Sequence, residues 1–179
     1  MNKKIIISII SVAIGIVFVQ FIMNYDFLKF QFKETKINNQ ISISVPGELE
    51  LETTILNTAV GEIKLSIYTL EKNKIVYMIL HSDYPKDYIS NSDKKVILDN
   101  ARDGGVRNSH GTLLTEEIFN ISSFPGRDIK VEGPNGEILR FKILLVNNTL
   151  YQWGVGATKQ TIYSKSVLKF FDSFKLLNE

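Results

Sequence analysis

The stretch "GPNGEILRFKILLVNNTLYQWGVG", Gly133 to Gly156, decides the fold. Its four glycines surround apolar runs, and their spacing tells whether they grip a ligand or bend the chain. Pro134 sets φ for a turn, and Asn135-Gly136 supplies the left-handed conformations of a tight hairpin. "VNNTL" reverses the chain a second time, so two adjacent antiparallel strands are predicted. A phosphate loop needs a strand, then glycines, then a helix N-terminus whose N–H groups point at the anion. Here strands stand on both sides, so the glycines serve geometry. Gly154 and Gly156 lie two apart, on one strand face opposite Trp153 and Val155. The shallow groove they leave is expected to hold the aromatic face of the last helix.

Working outward, the same period of two recurs. In "QISISVPG", Ile41, Ile43 and Val45 alternate with polar positions until Pro46 and Gly47 stop the run. "GEIKLSIYTL" sets Ile63, Leu65, Ile67 and Thr69 on one face, and "KIVYMILHSDY" follows as a more buried strand after a turn near "EKNK". Between Tyr84 and Ser109 the apolar spacing becomes helical, with Asp93 suited to the positive helix end and Gly104 and Gly105 expected to terminate it. Strands resume with "TLLTEEIFNIS" and "GRDIKVEG". In "SKSVLKFFDSFKLL", Val167, Phe170, Phe171 and Phe174 stand at i, i+3, i+4 and i+7, an apolar stripe that predicts a helix packed on the sheet, with Lys165, Lys169 and Asp172 facing water.

The N-terminus reads differently. Ile5 to Met23 is an uncharged run of nineteen residues, which as a helix covers roughly 28 Å, close to a bilayer's hydrocarbon core. Lys3 and Lys4 precede it, so the positive-inside bias puts residues 1–4 in the cytoplasm and the rest beyond the membrane. The residues near its exit, "FVQFIMNYD", are too bulky for a cleavage site, and no cysteine is available for lipidation. The run is therefore read as an uncleaved, single-pass signal-anchor in the plasma (inner) membrane, with the lipid bilayer as partner through Ile5 to Met23; a cleaved signal peptide and a buried core helix stay open as alternatives. Residues 24–38 form a juxtamembrane linker, and residues 39–179 the globular domain. Tyr25, Phe27, Phe30 and Phe32 suit the membrane interface, and "KETKINNQ" reads as a polar connection.

Beyond the anchor, the charge excludes one class of partner. Of 21 Lys plus Arg, Lys3 and Lys4 leave nineteen, against nineteen Asp plus Glu. A nucleic-acid binder needs clustered positive charge to displace counterions, so nucleic acid is discounted. The absence of cysteine removes thiolate metal sites and Cys nucleophiles. His81 and Asp83 lie two apart at the end of a strand and can share a face; His110 follows Ser109 in a glycine-flanked loop. Two histidines without a metal-binding spacing read as surface residues. Ser82 and Ser109 point away from their neighbouring histidines, and there is no Gly-x-Ser-x-Gly elbow. Glu48, Glu50 and Glu52 alternate along one strand side, about 7 Å apart; they can attract a cation or guard a sheet edge against pairing.

Several blocks together resemble a known family. "LDNARDGGVRN", "SFPGRDIKVEGPNGEILRFKILLVNNTLYQWGVG" and "FFDSFKL" are similar, in order and spacing, to PsbP-like domains, above all to uncharacterised bacterial exported members. The resemblance runs from Asn39 to Leu177 and is strongest at Phe124-Pro125-Gly126-Arg127, Leu150-Tyr151 and Phe171-Asp172-Ser173-Phe174. It implies an α+β fold, an antiparallel sheet flanked by helices (an α/β/α sandwich), and a binding or accessory role. It carries no catalytic, cofactor-binding or metal residue. The resulting expectation is a membrane-anchored extracytoplasmic accessory module with a protein partner. Two alternatives stay open: a hydrolytic enzyme using His81 and Asp83, and a carrier of a small apolar ligand between sheet and last helix. Convergence of His81 and Asp83 with His110 or Glu116 would favour the first, and a cavity under that helix the second.

Overall fold

The hairpins read from the sequence line up into one sheet. The computed structural model describes residues 31–58 and 60–177; the predicted anchor, Ile5 to Met23, lies outside them. No helix among the described residues is long and apolar enough to cross a membrane.

Strands β3 (Glu50–Thr58), β4 (Gly61–Lys72), β5 (Ile75–Asp83), β6 (Thr112–Ile121), β7 (Phe124–Glu132), β8 (Ile138–Val146) and β9 (Thr149–Ala157) form a seven-stranded sheet in the order β3-β4-β5-β9-β8-β7-β6. Every neighbouring pair is antiparallel. Asn73 and Lys74, both at positive φ, close the β4–β5 hairpin, and Asn147 closes β8–β9 in the same conformation. In "GPNG" only Gly136 takes a left-handed φ (80°). Asn135 does not need one, because the loop is closed at its ends by the Gly133 N–H donating to the Glu137 carbonyl.

One face of the sheet carries α1 (Lys86–Ser90) and α2 (Lys94–Asn108). Asp93 caps α2, accepting from the Lys95 N–H at 2.8 Å. Gly104 and Gly105 do not end this helix, as their type suggests; both are buried inside it. The reason is contact: a Cβ on Gly105 would lie 2.7 Å from Cζ of Phe141, so glycine lets the helix sit on that ring.

The opposite face is covered by α3 (Lys165–Asp172) and by a second sheet, in which β2 (Ile41–Val45) is flanked by β1 (Lys33–Lys36) and β10 (Lys175–Leu176). Lys33–Lys36 pairs with Ser42–Val45, so the polar connection contributes an edge strand to the globule. Ser164 caps α3, and Val167, Phe170 and Phe171 are buried. Phe174 stacks on Trp153 with centroids 4.0 Å apart. The last helix thus packs on the Trp153 face and not over the strand glycines. A Cβ on Gly154 would meet Phe141 Cβ at 2.6 Å and the Arg140 carbonyl at 2.8 Å, so Phe141 from the neighbouring strand fills that groove. Phe32 also departs from its expected place at the membrane interface: it packs on the domain core, edge-on to Tyr77 at 6.5 Å.

Candidate functional site

Alternation along β5 turns Tyr77, Ile79, His81 and Asp83 toward the α3 side. His81 pairs across the sheet with Ser66 on β4 and Tyr151 on β9. Its imidazole lies between the rings of Tyr68 and Tyr151, with centroids at 6.1 and 6.0 Å. The β1–β2 loop closes over this row. The Tyr151 hydroxyl accepts from Asn38 Nδ2 at 2.9 Å and donates to Gln40 Oε1 at 2.6 Å, while the Tyr68 hydroxyl donates to the Ile37 carbonyl at 3.0 Å. Asn38 Oδ1 meanwhile accepts from the Gln40 and Ile41 amides, which sets the loop's own shape.

His81, read from the sequence as a surface residue, is instead 8% exposed, because the β1–β2 loop covers it, and its buried Nδ1 has no hydrogen-bond partner. Burial pushes the imidazole below its ordinary value; Asp83 opposes this and Lys64 adds to it. Burial also raises the Tyr151 phenol. Asp83 is engaged by the Thr149 hydroxyl, which donates to Oδ1 at 2.8 Å. The arrangement is a neutral imidazole packed between two phenols under a stitched loop.

Glu116 belongs to the other side of the sheet. It pairs with Ile129 on the α2 face, where Arg102 Nη1 lies 2.9 Å from both its oxygens and Arg127 Nε is 3.1 Å from Oε1. Arg127, 4% exposed, also reaches Asp99 through Nη2 at 3.0 Å. Burial pushes the Asp99 carboxyl up, but hydrogen bonds from Arg127 and Lys95 outweigh it and hold it below the usual carboxylate range. These ion pairs fasten α2 to β6 and β7. His110 sits exposed in the turn after α2 at φ 49°. The sheet therefore separates His81 and Asp83 from Glu116, and His110 does not join them.

The remaining sequence candidates disperse as well. Ser82 faces away from His81, and the Ser109 hydroxyl donates to the Val106 carbonyl at the end of α2. Glu50 and Glu52 are exposed on edge strand β3, with Glu48 exposed just before it. Among the described residues, no three His, Asp or Glu side chains are placed to hold a metal. Beneath α3 rings pack on one another: Trp153 on Phe174, Phe119 edge-on to Trp153 at 6.2 Å, and Phe170 on Tyr77 at 5.2 Å.

Both edges of the large sheet carry exposed apolar side chains. Leu51 and Ile55 are 56% and 61% exposed on β3, and Ile118 is 70% exposed on β6. Sequence reading passed over Asn38, Gln40 and Tyr68. The available signal was register: once His81 is placed inward, its cross-strand neighbours are fixed by the hairpin turns. The loop residues carry no such pattern.

No family model matches the chain, and no curated protein matches it. Among solved structures, the solution structure of the cyanobacterial PsbP protein CyanoP from Synechocystis sp. PCC 6803 is similar, with a TM-score of 0.53 at 9% identity over 86% of this chain and 97% of that one. A Pseudomonas aeruginosa protein of unknown function gives a TM-score of 0.30 at 13% identity, over 73% and 85% of the two chains. The first likeness establishes a PsbP-like fold, as the resemblance implied.

Proposed function

We propose that the chain is a membrane-anchored, extracytoplasmic binding or accessory module without catalytic activity. The observation that carries this reading is the separation of the reactive groups: His81 is packed between Tyr68 and Tyr151 on one face of the sheet, and Glu116 is held by Arg102 and Arg127 on the other. General acid–base catalysis asks for two such groups within hydrogen-bond reach of one substrate. The exposed apolar residues on β3 and β6 are the kind of surface that contacts another protein. The anchor rests on the nineteen uncharged residues Ile5 to Met23 and on the positive charge before them.

The test uses the full chain in native membranes. A photo-crosslinking residue at Ile118 or Ile55 is expected to give a discrete adduct, and a carbonate wash is expected to leave the chain in the pellet. Hydrolytic turnover that disappears in His81→Ala would overturn the non-catalytic reading. Recovery of a soluble mature chain lacking its first two dozen residues would overturn the anchor.

A further inference from the structure

The solvent side of α3 holds an open depression of about 450 Å³, lined by Lys165, Leu168, Lys169, Asp172 and Ser173. Leu168, an apolar side chain 44% exposed, lies in it. The chain begins its described course beside this groove: the Lys169 ammonium stands 4.9 Å from the centroid of the Phe32 ring. Phe32 ends the stretch "NYDFLKFQF", in which Tyr25, Phe27, Leu28 and Phe30 are interleaved with polar residues, and it packs on the domain.

We propose that the groove on α3 is the docking site for this chain's own residues 24–30, the stretch between the predicted anchor and β1. Three observations favour that occupant. In an extended chain, residues two apart share a face, so an extended segment would present Leu28 and Phe30 on the side that Phe32 turns to the domain. At strand spacing Phe30 would stand about 7 Å from Phe32, within reach of Leu168, whose neighbour Lys169 lies over the Phe32 ring. The charges match too: the groove offers Lys165 and Lys169 with Asp172, and the segment carries Asp26 and Lys29. A segment joined directly to Phe32 competes for the groove at a high effective concentration, which gives it an advantage over a free partner. Docking shortens the tether and fixes which side of the domain faces the bilayer. That orientation rests on the anchor reading; the docking itself does not.

The chain contains no cysteine, so introduced thiols report cleanly. In the full chain, the pair Phe30→Cys and Leu168→Cys is expected to form an intramolecular disulfide on mild oxidation at least ten times faster than the pair Phe30→Cys and Ile118→Cys. Single Leu168→Cys is expected to react about tenfold faster with a water-soluble maleimide when Phe27, Leu28 and Phe30 are all changed to Ser. Equal disulfide rates overturn the proposal. So does a cross-linked dimer from Leu168→Cys alone, which would make a second copy the occupant. Maleimide protection that depends on anionic lipid and ignores the triple change would make the bilayer the occupant, and overturns it too. Both readouts work in detergent, so a chain that carbonate extracts can still dock; failure of the anchor and failure of docking are distinct results.

Discussion

Phe141 is gripped from two sides by residues without side chains, Gly105 of α2 and Gly154 of β9, and this makes a double-mutant cycle informative. Consider Gly105→Ala. In a helix interior the change is worth about 0.8–1.0 kcal/mol of favourable propensity. The new methyl, however, would sit 2.7 and 2.9 Å from Cζ and Cε2 of a ring that is only 5% exposed. Overpacking of this kind costs about 1–3 kcal/mol, so the net effect is a destabilisation of up to about 2 kcal/mol. Phe141→Leu removes the ring edge and alone costs about 1–2 kcal/mol, less than the full truncation of an aromatic. With leucine at 141 the methyl on residue 105 has room, and Gly105→Ala should then stabilise by about 0.5–1 kcal/mol. The predicted coupling is therefore about 1–3 kcal/mol. Urea titrations report it directly, because Trp153 is the chain's one tryptophan and stacks on Phe174. Additivity within about 0.5 kcal/mol, or a Gly105→Ala chain more stable than the parent, would refute the claim that Phe141 dictates glycine in α2.

Three further outcomes follow from individual contacts. His81 is held neutral by burial, with Asp83, Lys64, Tyr68 and Tyr151 around it. As pH falls below about 6.5 the unfolded chain takes up a proton that the folded one resists, so stability drops by at most about 1.4 kcal/mol per pH unit; between pH 6.5 and 5.5 the urea midpoint should fall, and His81→Leu should remove most of that slope. Arg127 bridges Asp99 and Glu116 from a buried position, so Arg127→Lys, a point charge without the fork, is expected to cost about 1–3 kcal/mol, seen as a lowered thermal midpoint. Ser164→Ala removes the 3.4 Å cap on the Val167 amide and should cost about 0.5–1 kcal/mol in the same assay.

What was legible in the sequence is what repeats. Period two located the strands from Ile41 onward, and turn residues joined them, because each hairpin's register follows from its own few residues. The amphipathic stripe of α3 was equally plain, since Val167, Phe170 and Phe171 all turn to one side. The errors share a cause. Gly105 was read as a helix end and Gly154 as a seat for α3, yet both answer to Phe141, a residue 36 positions from one and 13 from the other in the chain. A glycine that makes room for a distant ring has no local signature, because its neighbours in sequence do not touch that ring.

The same limit governs the candidate site. His81 could be placed on a face beside Asp83 from alternation alone, but not its surroundings. Whether an imidazole is a reagent or a packed core group depends on what covers it. Here the cover comes from Ile37, Asn38 and Gln40, more than forty residues upstream, through two tyrosine hydroxyls. Those hydroxyls tie the loop to the sheet through three hydrogen bonds, so removing either one is expected to expose His81 and loosen β1 together. Tyr68→Phe and Tyr151→Phe therefore test the division between structure and chemistry. Each should raise the accessibility of His81 to diethyl pyrocarbonate; Tyr68→Phe, which loses one hydrogen bond, should cost about 0.5–1.5 kcal/mol, and Tyr151→Phe, which loses two, about twice that. If His81 in the parent chain is already as reactive as exposed His110, it is open to substrate, and the argument that it is sealed for packing fails.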